Sequence, residues 1–165
     1  MLPLALGLAQ VAGFAIALPP SQVVVPTPVR LTADVDDAYA LLQNPGGLGL
    51  LHGGDLRFVF GRTTPSEAPG NLAPDAINGL GLFGATHVLD LLTLAGAVEL
   101  AVPPSGHAAE RATFGFAFGG AKSGLGFAVE HLVPLAGETR NILATGLTIR
   151  PTSWLSAGVD LHDLG

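Results

Sequence analysis

Cysteine is absent from the chain, tryptophan and tyrosine occur once each, and Asp, Glu, Lys and Arg together make up only 12% of its 165 residues. The first absence excludes disulfides, thiol nucleophiles and thiolate metal sites, though it identifies no compartment. The shortage of charge says more. A soluble domain carries about a quarter charged residues, so a fold of this composition has little with which to face water. The Lys and Arg residues number seven, are scattered singly, and sit in a net charge of -6. No basic patch is available to neutralise a phosphate backbone, and nucleic acid is not an expected partner. Beyond residue 18 there is no run of about 20 apolar residues that would cross a bilayer as a helix.

Present in abundance are hydrophobic residues, at 48%, with 23 Gly and 13 Pro. Glycine weakens helix interiors and proline breaks them, which argues against a helical bundle. A membrane reading of this chain therefore has to be a β reading.

No charge precedes Arg30, and the apolar stretch Leu2 to Ala17 ends in Ala15-Ile16-Ala17, which fits the small-x-small rule for signal-peptidase cleavage. Residues 1–17 read as a signal peptide and imply export, despite the missing Lys or Arg after Met1; a buried N-terminal helix is the alternative. Residues 18–55 form a second unit. Two closely spaced prolines make Val23 to Leu31 extended, and Asp36 and Asp37 stand at the start of a short apolar helix within Asp34 to Leu51, which Asn44-Pro45-Gly46-Gly47 is expected to terminate.

From Asp55 onward the pattern changes to period two. Seven strands are expected, at Leu56 to Arg62, Ile77 to Thr86, Leu91 to Val102, Ala112 to Gly119, Gly124 to Val133, Asn141 to Arg150 and Trp154 to Asp163. Along the later ones, large apolar residues such as Phe114, Phe116 and Phe118 alternate with Thr113, Gly115 and Ala117. A sandwich alternates too, but its polar face is normally rich in Lys, Glu, Thr and Gln. Here that face is mostly Gly, Ala and Ser, which suits a crowded lumen. Short links (His87 to Asp90, Gly120 to Ser123, Pro151 to Ser153) alternate with longer ones (Thr63 to Ala76, Pro103 to Arg111, Pro134 to Arg140), as tight periplasmic turns alternate with extracellular loops in outer-membrane barrels. Trp154, opening a strand after a tight turn, fits either an aromatic girdle or a core.

Asp36-Asp37-Ala38 followed by Leu42-Gln43-Asn44-Pro45-Gly46-Gly47-Leu48 resembles the "DDA...NPAGL" signature of the long-chain fatty-acid transporter superfamily of outer-membrane barrels, with Gly46 in place of the usual Ala. Gly146 to Gly158 is similar to the "GLxYRPxxWLxLG" hairpins that recur in those barrels. The two matches cover about a sixth of the chain. The resemblance implies that the Asn-Pro segment is an N-terminal hatch inside the barrel and that hydrophobic molecules pass through a lateral opening. Members of that family have more strands than the seven read here, so residues 56–165 are expected to be an incomplete barrel segment. The region also looks like the barrel-like leader of bacterial signal peptide peptidase A-like proteins, in which a serine-lysine protease domain follows.

Candidate chemistry within the chain is sparse. The five His are well separated, and Asp160-x-His162-Asp163 is the only local cluster of metal-binding types; a solvated strand end explains it better. Gly120-Ala121-Lys122-Ser123-Gly124 lacks the register of a nucleophile elbow and reads as a hairpin turn. Gly79-Leu80-Gly81 continues as strand where a phosphate loop needs a helix. No catalytic residue, cofactor or metal is expected.

Glu99, Glu130, Arg150 and Asp160 are then inward-facing charges, expected to pair across the lumen or line a polar path, because a charge on a lipid face near mid-bilayer costs roughly 2 to 4 kcal/mol for Arg or Lys. Together with the family-like residues Asp36, Asp37, Asn44, Pro45 and Gly46 they are the candidate site. The expected fold is an all-β antiparallel meander forming part of a transmembrane β-barrel, with a signal peptide and one short helix. The expected role is non-enzymatic, in the bacterial outer membrane, with lipid and hydrophobic small molecules as partners. A non-catalytic scaffold of a protease and a secreted β-sandwich binding module are the alternatives.

Overall fold

The computed structural model describes residues 33, 35–63, 77–102, 108–134 and 137–164. The expected signal peptide, the extended segment Val23 to Leu31 and most of the longer links lie outside them. The described residues are mostly β: seven antiparallel strands in one sheet, ordered β1-β2-β3-β4-β5-β6-β7. These are β1 (Gly54–Thr63), β2 (Ile77–Leu89), β3 (Leu92–Val102), β4 (Ala109–Gly120), β5 (Ser123–Val133), β6 (Arg140–Thr152) and β7 (Leu155–Leu161). Each strand pairs with its sequence neighbour, so every hairpin is local. Among the described residues the sheet is open, with β1 and β7 as its edges.

All seven expected strands are present, and their ends sharpen the sequence reading. β4 begins at Ala109, which takes Arg111 out of the expected loop and into the ladder opposite Glu99. Trp154 lies in the two-residue turn between β6 and β7, where it is 81% exposed, and so neither opens a strand nor enters a core. The three short turns all lie at one end of the sheet, as a meander requires when they join β2 to β3, β4 to β5 and β6 to β7.

The expected helix is split. A single α-turn, α1 (Ala40–Gln43), is followed directly by a 3-10 helix at Pro45–Leu50. Asn44 adopts an extended conformation between them, and its side chain accepts a hydrogen bond from the Gly46 N–H. Pro45 has no N–H to lose and a φ suited to a first helical turn. Asn-Pro therefore stops one helix and caps the next, a double role beyond the terminator expected from sequence.

This segment lies on the concave face of the sheet and makes the core. Val35, Ala38, Tyr39, Leu41 and Leu48 pack with Phe83, Ala95, Ala97, Ala117, Ala128 and Ala144. The wall's contribution is chiefly alanine and glycine because backbone must approach backbone. A second, smaller cluster of Ala101, Ala109, Leu132 and Ile142 lies toward the longer links, and Val59 packs against both.

Candidate functional site

Three places along the concave face fix residues 35–51 to the wall. At β1 and β2, Asp37 meets Arg57 at 3.2 Å, Arg57 also bonds Asp55 at 2.8 Å, and the same Asp55 carboxylate accepts from the Ala38 N–H. Tyr39 stands edge-on to Phe83 with centroids 4.9 Å apart, and the Arg57 guanidinium lies 5.3 Å from the Tyr39 ring centre. At β6, Asn44 donates to the Thr148 hydroxyl at 2.9 Å and Asp36 pairs with Arg150 at 2.8 Å. Between these anchors the contact is backbone on glycine. A Cβ on Gly126 would overlap the Pro45 carbonyl, and one on Gly146 would overlap the Asn44 side-chain oxygen.

Further toward the longer links is a layer of buried charge. Arg111 donates its Nε–H to Glu99 Oε2, and its Nη1 lies 3.6 Å from Glu130 Oε2. Glu99 has no exposed surface, while Arg111 and Glu130 are buried nearly as completely. Breaking such a pair is far costlier than breaking one at the surface, because it leaves charge stranded away from water. The chemistry available to these three side chains is charge pairing.

The four inward charges thus fall into three groups. Glu99 and Glu130 share Arg111, Arg150 pairs with Asp36, and Asp160 pairs with His162 at 3.1 Å at the β7 edge. The family-like residues Asp36, Asp37, Asn44, Pro45 and Gly46 all belong to the segment on the concave face. Arg111 and Thr148 were not among the expected site residues. Arg111 has the same period-two parity as Thr113 and Gly115, and extending that strand by one step would have found it. Nothing local marks Thr148, whose partner Asn44 is 104 residues away. Among the described residues no group of three or more His, Asp or Glu is arranged to hold a metal ion.

The convex face is the reverse of the concave one. Leu56, Phe58, Phe60, Leu82, Val98, Phe114, Phe118 and Val129 project outward and are about half to three-quarters exposed. One cross-strand row runs Leu56, Gly84, Gly96, Phe114 and Val129. Its two adjacent glycines leave a notch between large side chains, and an apolar groove of about 680 Å³ opens there, walled by Leu56, Leu82, Val98, Phe114 and Val129. Polar residues bound the convex face toward the longer links, where His131 bonds Asn141 at 2.8 Å across β5 and β6.

Set against known protein families, curated proteins and solved structures, the chain matches none of them.

Proposed function

We propose that this chain forms part of an outer-membrane β-wall that binds or passes hydrophobic compounds, with the convex face toward lipid and residues 35–51 as its internal hatch. The observation that carries the reading is the inversion of the two faces. Small residues are buried under the hatch, paired charges are buried beside it on the same face, and large apolar residues are exposed outside. Monomeric soluble proteins rarely expose apolar patches beyond a few hundred Å², whereas a lipid-facing wall requires one. Five strands, β2 to β6, have 11 to 13 residues, against about 9 to 11 for a tilted strand that crosses a bilayer.

A sandwich module would need a second sheet over Phe114 and Phe118, and the described residues make a single sheet. The groove at Gly84 and Gly96 gives the hydrophobic-compound reading a location. It is open and lined chiefly by apolar side chains.

Expression of the whole chain in a Gram-negative host, followed by membrane fractionation, tests the reading. Recovery with the outer membrane, and release only by detergent, is the expected result. Recovery from the periplasm as a soluble monomer would overturn it.

A further inference from the structure

We propose that the convex face holds one membrane lipid with a zwitterionic headgroup of the phosphoethanolamine type, its tail in the glycine-floored groove and its headgroup at Glu110 and His131. The proposal deepens the reading of that face as a lipid-facing wall and rests on it.

A second groove, of about 520 Å³, shares Leu56, Gly84, Gly96 and Phe114 with the first and carries the notch on to Thr86 and Leu94. The two make one trough, with Thr86 at one end and His131 at the other. Leu82, Val98, Ala112 and His131 share one cross-strand row from β2 to β5, and Thr86 lies further along β2 from Leu82. Three strand spacings of about 4.8 Å, and about four residues of roughly 3.3 Å each, put the ends roughly 20 Å apart. That is the scale of one lipid tail, since the hydrocarbon half belonging to one leaflet is about 15 Å deep.

The His131 end is polar, and its charges select a headgroup. His131 Nδ1 bonds Asn141 Oδ1 at 2.8 Å, which leaves Nε2 to meet a ligand. An imidazole carrying both protons donates the second to a phosphate oxygen. Ala112 faces His131 in the ladder, and Glu110, paired with Val133, is the diagonal neighbour of His131 on the same face. Both Glu110 and His131 are exposed. Such diagonal neighbours lie about 7 to 8 Å apart, so a headgroup bearing an ammonium and a phosphate meets an opposite partner at each. A purely anionic headgroup would bring its charge against Glu110.

The whole chain, purified in a nonionic detergent and titrated with palmitoyl lysophosphatidylethanolamine or palmitoyl lysophosphatidylglycerol, provides the test, with bound lipid read by native mass spectrometry. A single adduct is expected, retained several-fold better with the zwitterionic lipid. Glu110→Gln should bring the two lipids to equal retention while the adduct remains, and Gly96→Leu should remove the adduct with both. No adduct, equal retention by the unmodified protein, a preference that survives Glu110→Gln, or an adduct that survives Gly96→Leu would each overturn the lipid site and leave the lipid-facing wall standing. Recovery of the chain as a soluble periplasmic monomer would overturn the wall and the lipid site together.

Discussion

The two faces of the sheet use the same strands and opposite physics. Along β4, Arg111, Thr113, Gly115 and Ala117 turn inward and are buried, while Phe114 and Phe118 turn outward and are exposed. Inside, order is imposed by close backbone approach and by charge pairing over residues far apart in sequence. Outside, it is only a matter of size and polarity. Substitutions on the concave face should therefore be felt as lost stability, and substitutions on the convex face as altered contact with the surroundings.

Arg111 gives the largest contrast. Arg111→Leu removes the partner of two buried carboxylates, and stranding charge in this way costs about 3 to 5 kcal/mol. Denaturant unfolding of the purified protein should show that loss. A change below about 1 kcal/mol would mean that water reaches the layer and that the inner face is not closed as described. Glu99→Gln is the gentler companion, since it lowers the buried charge while keeping the shape.

Gly126 probes the seat of the hatch. A valine there forces its side chain into the Pro45 carbonyl, and overpacking of this kind costs about 1 to 3 kcal/mol. The hatch should loosen before the sheet does, since the β5 ladder needs nothing from that side chain. Tyr39, Leu41 and Leu42 are buried chymotrypsin sites in the native protein, and cleavage there should accelerate in Gly126→Val. Undiminished protection would show that the hatch is held by its flanking ion pairs alone.

How much of this was legible in the sequence follows the range of the forces involved. Period-two alternation is local, so the number of strands, their order and the exposed character of Phe114 and Phe118 could be read from it. The split helix was not legible, because Asn-Pro suits both a helix stop and a helix cap, and only the Asn44 contacts with Thr148 and Gly46 show which role it plays. Arg111 was hidden by a strand that starts earlier than its apolar pattern. Glu99 and Glu130 were legible as inward charges from parity, but their shared partner came from register, which a single sequence does not reveal.

Gly96 carries the smallest stability effect and the most selective functional one. A Cβ at this position would meet only the Thr113 carbonyl oxygen, at 3.8 Å, so a larger residue fits without displacing backbone. Gly96→Leu should leave stability unchanged or raise it by less than about 1 kcal/mol, since glycine is unfavourable within a strand. It would also fill the notch between Leu56 and Phe114. Binding of an alkyl-chain fluorescent probe should weaken several-fold, whereas Val159→Leu, on the same face but away from the notch, should leave it unchanged. Equal loss in both variants would mean that the whole convex face, rather than the groove, attracts the probe, and the hydrophobic-compound reading would lose its location while the lipid-facing wall remained.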